Sequence, residues 1–451
     1  MADQTLFTDD FKTTPYWWEA APRREIEAAA PPKRADAVVI GSGYTGLCAS
    51  LQLARAGREV VVLDAESAGW GCSSRNGGLV STGLKPGFDD LAPHHGAAAA
   101  RAIVTEGHNA LAFIKDFVAE EELACDFDVG GKFFGAHTPA HFEKIAAAVD
   151  RQPEGLAVKA HVVPRAEQAR EIDTDLYHGG VVFEEHASID PAKYHSALLA
   201  KVRAAGVTIV PHCRAGAIRR DGDRFTVESE GGTVDAGQVL VATNGYTDAV
   251  APWVRRRVIP IGSYMIATEP LPAAVMDRIL PTGRTIGDTR KVVYYYRPSP
   301  DRSRVIFGGR VTSNETDPRV SAPLLMRDLV ALFPALAGTR ISHSWNGFVA
   351  YTFDHLPHLG QNDGVYYAAG YCGSGVALAT YCGTKVGQKM LGLAEGRTGL
   401  DTLINPTRPF YYGRPWFLGA TVAYYRWRDR AGFKRPVGGG RFVTKRTYWC
   451  G

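Results

Sequence analysis

Residues 37–66 read AVVIGSGYTGLCASLQLARAGREVVVLDAE, and this stretch decides the fold. Val38, Val39 and Ile40 make a short unbroken apolar run, the pattern of a strand buried on both faces of a parallel sheet. Gly41-Ser42-Gly43-Tyr44-Thr45-Gly46 follows, then a helix with Leu47, Ser50, Leu51, Leu53 and Ala54 on one face. Gly57 stands where such a helix ends in a left-handed residue. A second strand, Glu59 to Leu63, ends at Asp64 with Ala65 beside it. Gly41 permits the tight turn out of the strand, Gly43 the approach of a pyrophosphate, and Gly46 close packing of helix on strand. The helix N-terminus offers unpaired N–H groups and positive dipole to phosphates. Asp64 sits where an acid accepts hydrogen bonds from ribose hydroxyls.

The βαβ unit alone does not separate NAD from FAD. Three later glycine-rich stretches do: residues 67–87 (SAGWGCSSRNGGLVSTGLKPG), 237–247 (GQVLVATNGYT) and 364–383 (GVYYAAGYCGSGVALATYCG). An NAD domain is a compact early block and needs no such returns, whereas FAD is longer and spans an interleaved domain. No second GxGxxG follows a strand, so no separate nicotinamide domain is expected. No CxxxxC follows the first motif, which excludes disulfide-reductase chemistry.

The 451 residues are 45% hydrophobic and 22% charged, enough for two sizeable cores. Seven scattered cysteines form no CxxC pair and read as reduced thiols; no disulfide framework or metal site is expected. The net charge of +4 hides an asymmetry, because residues 407–451 carry +9 and residues 1–406 carry −5. That argues against a nucleic-acid-binding body. The opening MADQTLFTDDF is acidic and lacks a leader's apolar core, and no apolar run reaches spanning length without glycines or charges. The expectation is a cytoplasmic enzyme of unspecified oligomeric state.

The chain resembles the D-amino-acid oxidase-like superfamily of FAD-dependent amine oxidoreductases, and within it the bacterial gamma-glutamylputrescine oxidase-like branch. The resemblance rests on PYWWEA (15–20), VIGSGYTG, GWGCSSRNGG, LVATNGYT, YYYRPSPDRSRVIFGGR (294–310), WNGFVAYTFDHLPHLG (345–360), AAGYCGSGVALA and RPFYYGRPWFL. It implies a mixed α/β fold, with a Rossmann-like FAD-binding domain interleaved with a substrate domain on an antiparallel or mixed sheet. The expected division is an N-terminal arm (1–33), an FAD domain (34–100, 179–252 and 335–400), a substrate domain (101–178 and 253–334) and a basic aromatic C-terminal arm (401–451).

The resemblance also implies site residues. Gly71, Cys72, Ser73, Arg75, Asn76, Gly77, Gly78 and Leu79 are expected along the pyrophosphate, ribityl chain and ring. Residues 207–218 read as one strand, with backbone near Arg214 and Ala215 touching adenine. Thr243, Asn244 and Gly245 follow a buried strand near the adenosine half. Cys372, Gly373, Ser374, Gly375 and Val376 open a helix whose positive end faces the charge the ring gains on reduction. Relatives that tether the flavin use a cysteine before a D-x-x-P turn; residues 349–354 hold none, so non-covalent FAD is expected.

The implied reaction is oxidation of the C–N bond of an amine or amino acid, a secondary amine or gamma-glutamyl-polyamine-like molecule, to an imine. Hydride passes to flavin N5, and oxygen or an electron carrier takes the electrons. Such chemistry needs position and a neutral amine more than a strong base. Candidate substrate residues are Tyr264, Tyr294, Tyr296, Arg297 and Arg310, joined by His137 and Lys85. Alternation puts Tyr294 and Tyr296 on one strand face and Tyr295 and Arg297 on the other. No lysine lies between Asp248 and Thr268, where many oxidases of the wider family carry one, so an amino-acid dehydrogenase feeding a respiratory acceptor stays open. An NAD-dependent dehydrogenase and a non-catalytic flavoprotein are the competing classes. The tail is expected to pack its aromatics on the acidic body; the alternative is contact with an anionic membrane.

Overall fold

The computed structural model describes residues 6–23, 25–27, 29–310, 312 and 315–431. Arg34–Ile40 runs parallel to Val60–Leu63 on one side and Gly232–Val241 on the other, and Thr208–Val210 and Val365–Ala369 extend this parallel array. Val39, Val62 and Leu240 point into one buried cluster, and Val38, Val61 and Val239 into another. Burial on both faces is why these strands read as unbroken apolar runs. The second cluster is covered by an antiparallel meander of Ala215–Asp221, Arg224–Ser229 and the first half of Gly232–Val241. The first is covered by helices, among them Tyr44–Arg55, Pro191–Ala204 and Gly375–Met390.

The second sheet has nine strands in the order Phe7–Lys12, Ile341–Tyr351, Ile259–Thr268, Val305–Gly309, Tyr295–Pro298, Thr285–Asp288, Lys132–Gly135, Gly180–Phe183, Ala160–Val163. Pairing is antiparallel except between Phe7–Lys12 and Ile341–Tyr351 and between Lys132–Gly135 and Thr285–Asp288. Helix Pro318–Leu332 backs one face through Leu325 and Leu329, which join Tyr264, Tyr296 and Phe307. The mixed α/β architecture of two interleaved sheets is the expected one.

Sheet membership differs from the expected division in four places. Helix Ala97–Glu120 was expected in the substrate half beyond residue 100, yet its Ile103, Ala110, Ile114 and Phe117 pack with Val39 and Leu47 of the nucleotide-binding sheet. An amphipathic face specifies burial, not the partner that buries it. Gly180–Phe183 and Ile341–Tyr351 leave the blocks 179–252 and 335–400 to join the substrate sheet. The N-terminal arm supplies an edge strand and the fully buried Trp17. Residues 207–218 are two strands, broken where His212 takes a φ of 51°. No helix among the described residues is long and apolar enough to cross a membrane.

Candidate active site

A cavity of about 1920 Å³ lies between the two sheets. Its nucleotide end is lined by Gly41–Thr45, Asp64, Ala65, Arg214, Ala215, Thr243 and Asn244. The Asp64 carboxylate accepts from Ser42 N (2.8 Å), Ser42 Oγ (2.5 Å) and Glu66 N (3.0 Å), so it shapes the glycine turn while facing the cavity. One support escaped sequence reasoning, His195, whose Nε2 lies 2.8 Å from the Ser42 carbonyl, and the expected Ser73 accepts at Oγ from Tyr44 N at 3.1 Å. Arg214 pairs with Asp248 at the mouth (2.8 Å). Asn244 ties two strand ends together, its Oδ1 accepting from Gly370 N at 2.9 Å.

The middle of the cavity is lined by Gly71–Ser73, Arg75–Gly77, Leu79 and the helix start Gly373–Val376. The turn at 72–78 is tied down by the N-terminal arm and by strand Ile341–Tyr351. Trp17 Nε1 donates to Asn76 O and Trp345 Nε1 to Arg75 O, both at 2.8 Å. Trp18 Nε1 donates to Ser74 Oγ at 2.9 Å. The Arg75 guanidinium lies over Trp18 and Trp70, 4.9 and 4.4 Å from their centroids, and burial lowers its pKa. PYWWEA therefore serves as a belt on this turn, a role the motif did not disclose. Four expected cofactor residues stand behind the lining and shape it. Gly46 packs helix on strand, Gly78 lies against Ile189, and Gly245 is pressed on the Phe348 carbonyl. Cys372 is buried with its Sγ 3.6 Å from Thr352 Oγ1, and burial lifts its thiol to about 11.

The substrate sheet closes the far side. Register sets Phe134, Gly287, Tyr295, Gly308, Met265 and Trp345 in one cross-strand row, of which Phe134, Gly287, Tyr295 and Met265 line the cavity. Tyr295 OH lies 2.7 Å from Ser263 Oγ. Tyr264 and Tyr296 point the other way. Tyr296 OH donates to Tyr177 OH (3.1 Å), and Tyr264 OH donates to Glu315 (2.8 Å), inside the cluster beneath helix Pro318–Leu332. Both sheet faces are covered, so an aromatic residue suits either, and alternation alone leaves the direction open. Tyr294 donates to Asp328 at 2.9 Å.

Neither expected arginine is an open anchor. Arg297 lies outside the lining, its guanidinium donating to the carbonyls of Ile189 (2.9 Å), Pro298 (3.1 Å) and Gly78 (3.4 Å). Arg310 lines the cavity, but its Nη1 donates to Gly262 O (2.6 Å) and Glu315 (2.9 Å). His137 is buried behind Thr289, 2.6 Å from its Oγ1, and burial with neighbouring cations pushes its pKa down to about 3. Arg297→Lys should lower the thermal midpoint, costing about 1–3 kcal/mol through lost hydrogen bonds, and leave KM unchanged. A shifted KM would return Arg297 to the substrate site.

Among the cavity's lysines, Lys132 lies on a strand of the substrate sheet itself. Lys132 and Lys85 both line the cavity. Among the described residues no carboxylate reaches ion-pair distance of Lys132 Nζ. It sits 5.4 Å from the Phe134 centroid and 3.3 Å from where a Cβ on Gly287 would lie. Burial, with the charge of Lys85, lowers its pKa to about 8. The C-terminal helix Leu418–Ala431 completes the wall with Thr421, Val422, Tyr425 and Arg428. Asp429 holds it there, accepting from Lys291 N (3.1 Å) and Val292 N (3.0 Å).

The residues fit a long dinucleotide. A Cβ at Gly43 would stand 2.9 Å from Ser73 Oγ, so glycine here leaves Ser73 free to accept from Tyr44 N at the cradle. Beyond it the cavity continues without a break to the substrate sheet. Cradle and chamber together define a flavin-dependent oxidoreductase. The chain matches the family described as DAO, FAD dependent oxidoreductase, over residues 36–388, and it belongs to that family. It is 31% identical to the probable oxidoreductase OrdL of Rhizobium meliloti (strain 1021), over 92% of this chain and 97% of that one. It is 29% identical to gamma-glutamylputrescine oxidoreductase of Escherichia coli (strain K12), over 88% and 93%. Its fold is similar to glycine oxidase from Geobacillus kaustophilus, with a TM-score of 0.70 at 19% identity over 84% of this chain and 99% of that one. The cofactor is FAD.

Asp64→Ala should weaken FAD retention by about 1–3 kcal/mol, as loss of charge-assisted hydrogen bonds does. Release of flavin during dialysis in chaotropic salt measures it, and unchanged release would remove Asp64 from the ribose.

Proposed function

We propose that the protein oxidises the C–N bond of an amine or amino acid that carries a carboxylate, using non-covalently held FAD. The carrying observation is the Lys132 ammonium, which faces the substrate end of the cavity with no ion-pair partner among the described residues. A buried cation without a counter-charge invites an anion. When bound, FAD supplies the acceptor for the hydride that leaves the carbon beside nitrogen. Phe134, Tyr295 and Met265 supply the apolar wall that holds the rest of the substrate and excludes water. None of the cavity-facing groups has to act as a strong base, and His137 stays neutral behind Thr289. The positive end of helix Gly375–Met390 opens on the cavity and favours negative charge there. The relative that acts on gamma-glutamylputrescine, an amine with a distant carboxylate, supports the same substrate class.

Non-covalent attachment is supported by the thiols. Cys72, the cysteine that lines the cavity, donates to Phe348 O at 2.8 Å and is lifted by burial to about 11, which leaves little nucleophilic thiolate. Acid precipitation should leave the flavin in the supernatant. The reaction class is tested by incubating gamma-glutamyl-polyamines, secondary amines and amino acids with the enzyme while recording carbonyl product and oxygen uptake. Carbonyl formed from an amine supports the reading, and oxygen uptake separates oxidase from dehydrogenase. Oxidation of matching hydroxy acids in place of amines would overturn it.

A further inference from the structure

We propose that the outward face of the C-terminal helix seats this enzyme on an anionic lipid surface. The inference stands apart from the reaction assigned above. The helix Leu418–Ala431 is anchored from within. Leu418 and Val422 are buried, Tyr425 lines the cavity, Asp429 holds the 291–292 backbone, and Arg426 donates to the Arg310 carbonyl (2.9 Å). The first turn begins before the helix proper, with Leu418 N donating to Pro415 O and Thr421 N to Phe417 O. Ala420, Ala423, Tyr424 and Trp427 fall at helical spacing on the opposite side, and all four are exposed, while Trp416, ahead of the helix, stands exposed at the cavity rim. Trp416, Tyr424 and Trp427 keep 71%, 52% and 64% of their surface in solvent. Trp416, Tyr412 and Tyr424 therefore depart from the expectation that the tail's aromatics pack on the body, while Tyr411 is buried and Phe417 and Tyr425 are half-buried.

The patch is concentrated. Of the nine large hydrophobic residues exposed among those described, six lie between Ile404 and Trp427. Single exposed apolar residues are ordinary, but a cluster on one arm marks an interaction surface. Its chemistry selects the occupant. Tryptophan and tyrosine prefer the membrane–water interface, where an apolar ring and a polar edge are both satisfied. Arg414 and Arg428 stand exposed beside the stripe. The twenty residues that follow the helix, 432–451, carry five lysines and arginines and no acid. Each such cation near an anionic surface strengthens partitioning roughly five-fold. Residues 1–406, at −5, would be repelled, so the charge distribution also orients the enzyme tail-first. An acidic protein partner would use the cations and leave the aromatic stripe without a role.

Flotation of the full-length, FAD-loaded enzyme tests this. The probes are vesicles of phosphatidylcholine alone and of phosphatidylcholine mixed with phosphatidylglycerol, at low and high salt. The wild type should float with the mixed vesicles at low salt, and much less with phosphatidylcholine or at high salt. The double variant Y424S/W427S should partition about tenfold or more weakly while keeping its flavin-to-protein ratio and thermal midpoint. W427S alone, run in parallel, should shift in the same direction. A wild type that stays at the bottom with mixed vesicles at low salt, or a double variant that floats like wild type, would overturn the proposal.

Discussion

Gly46→Ala should give protein that retains little or no FAD. A Cβ at this position would stand 2.0 Å from the Gly41 carbonyl oxygen and 3.1 Å from Val39 Cγ1. The first contact is with backbone, which cannot rotate away. Helix Tyr44–Arg55 must lift off strand Arg34–Ile40, and its N-terminus moves off the pyrophosphate position. The strain costs about 3 kcal/mol or more in a packed core, and the binding geometry is lost with it. Gly57→Ala is the control. Gly57 ends the same helix with φ of 77°, but a Cβ there meets nothing within 4 Å. That change should cost only about 1–2 kcal/mol of left-handed strain and keep the flavin. Visible absorbance against total protein, with thermal midpoints for both variants, separates the outcomes.

Lys132→Met should raise KM for the carboxylate-bearing substrate about 10- to 100-fold while leaving kcat nearly unchanged. A hydrogen bond to a charged group is worth about 1.5–3 kcal/mol, and among the described residues Lys132 is the cavity lysine that lies on a strand of the substrate sheet. Arg290 is paired to Asp288, and Arg310 to Glu315. An amine without a carboxylate should show no change in KM. The pH dependence follows from the groups around Nζ. Lys85 lowers the Lys132 pKa, Asp288 on the next strand raises it, and burial dominates to bring it to about 8. His186, close by, is itself held neutral by burial, near pKa 3. Lys132 is therefore charged below pH about 8, and anchoring should weaken as pH rises through that value. Titrating a carboxylate inhibitor that lacks an amine isolates this ionisation from that of the substrate. Affinity that stays flat across pH about 7 to 9 would assign the anchor elsewhere.

The nucleotide half was largely legible because its constraints are local. A glycine turn, a C-terminal glycine and an acid after the second strand lie within thirty residues of sequence, and the structure sets Gly41–Thr45 and Asp64 on the cavity as that spacing requires. The substrate half was not, because its decisive facts are non-local. Tyr294–Arg297 alternate as read, yet the face that meets the cavity is set by where helix Pro318–Leu332 packs, so Tyr295 takes the place expected of Tyr296. Arg297 looked like an anchor until its partners proved to be main-chain carbonyls from two distant segments. Lys132 gave no motif at all. Its meaning comes from Gly287 on a strand more than 150 residues away, whose missing side chain leaves room for it. The closest available signal was a lysine followed by two phenylalanines at the start of a short strand.

The central claim is that one cavity joins an FAD cradle to a chamber for a carboxylate-bearing amine. It is tested most directly by mixing the wild-type holoenzyme anaerobically with paired amines that differ only in a distant carboxylate, and following the visible flavin absorbance. The account predicts bleaching by both, with half-maximal rate at roughly 10- to 100-fold lower concentration for the carboxylate-bearing member. Absence of bleaching by any amine, or equal concentration dependence for the two, would contradict it.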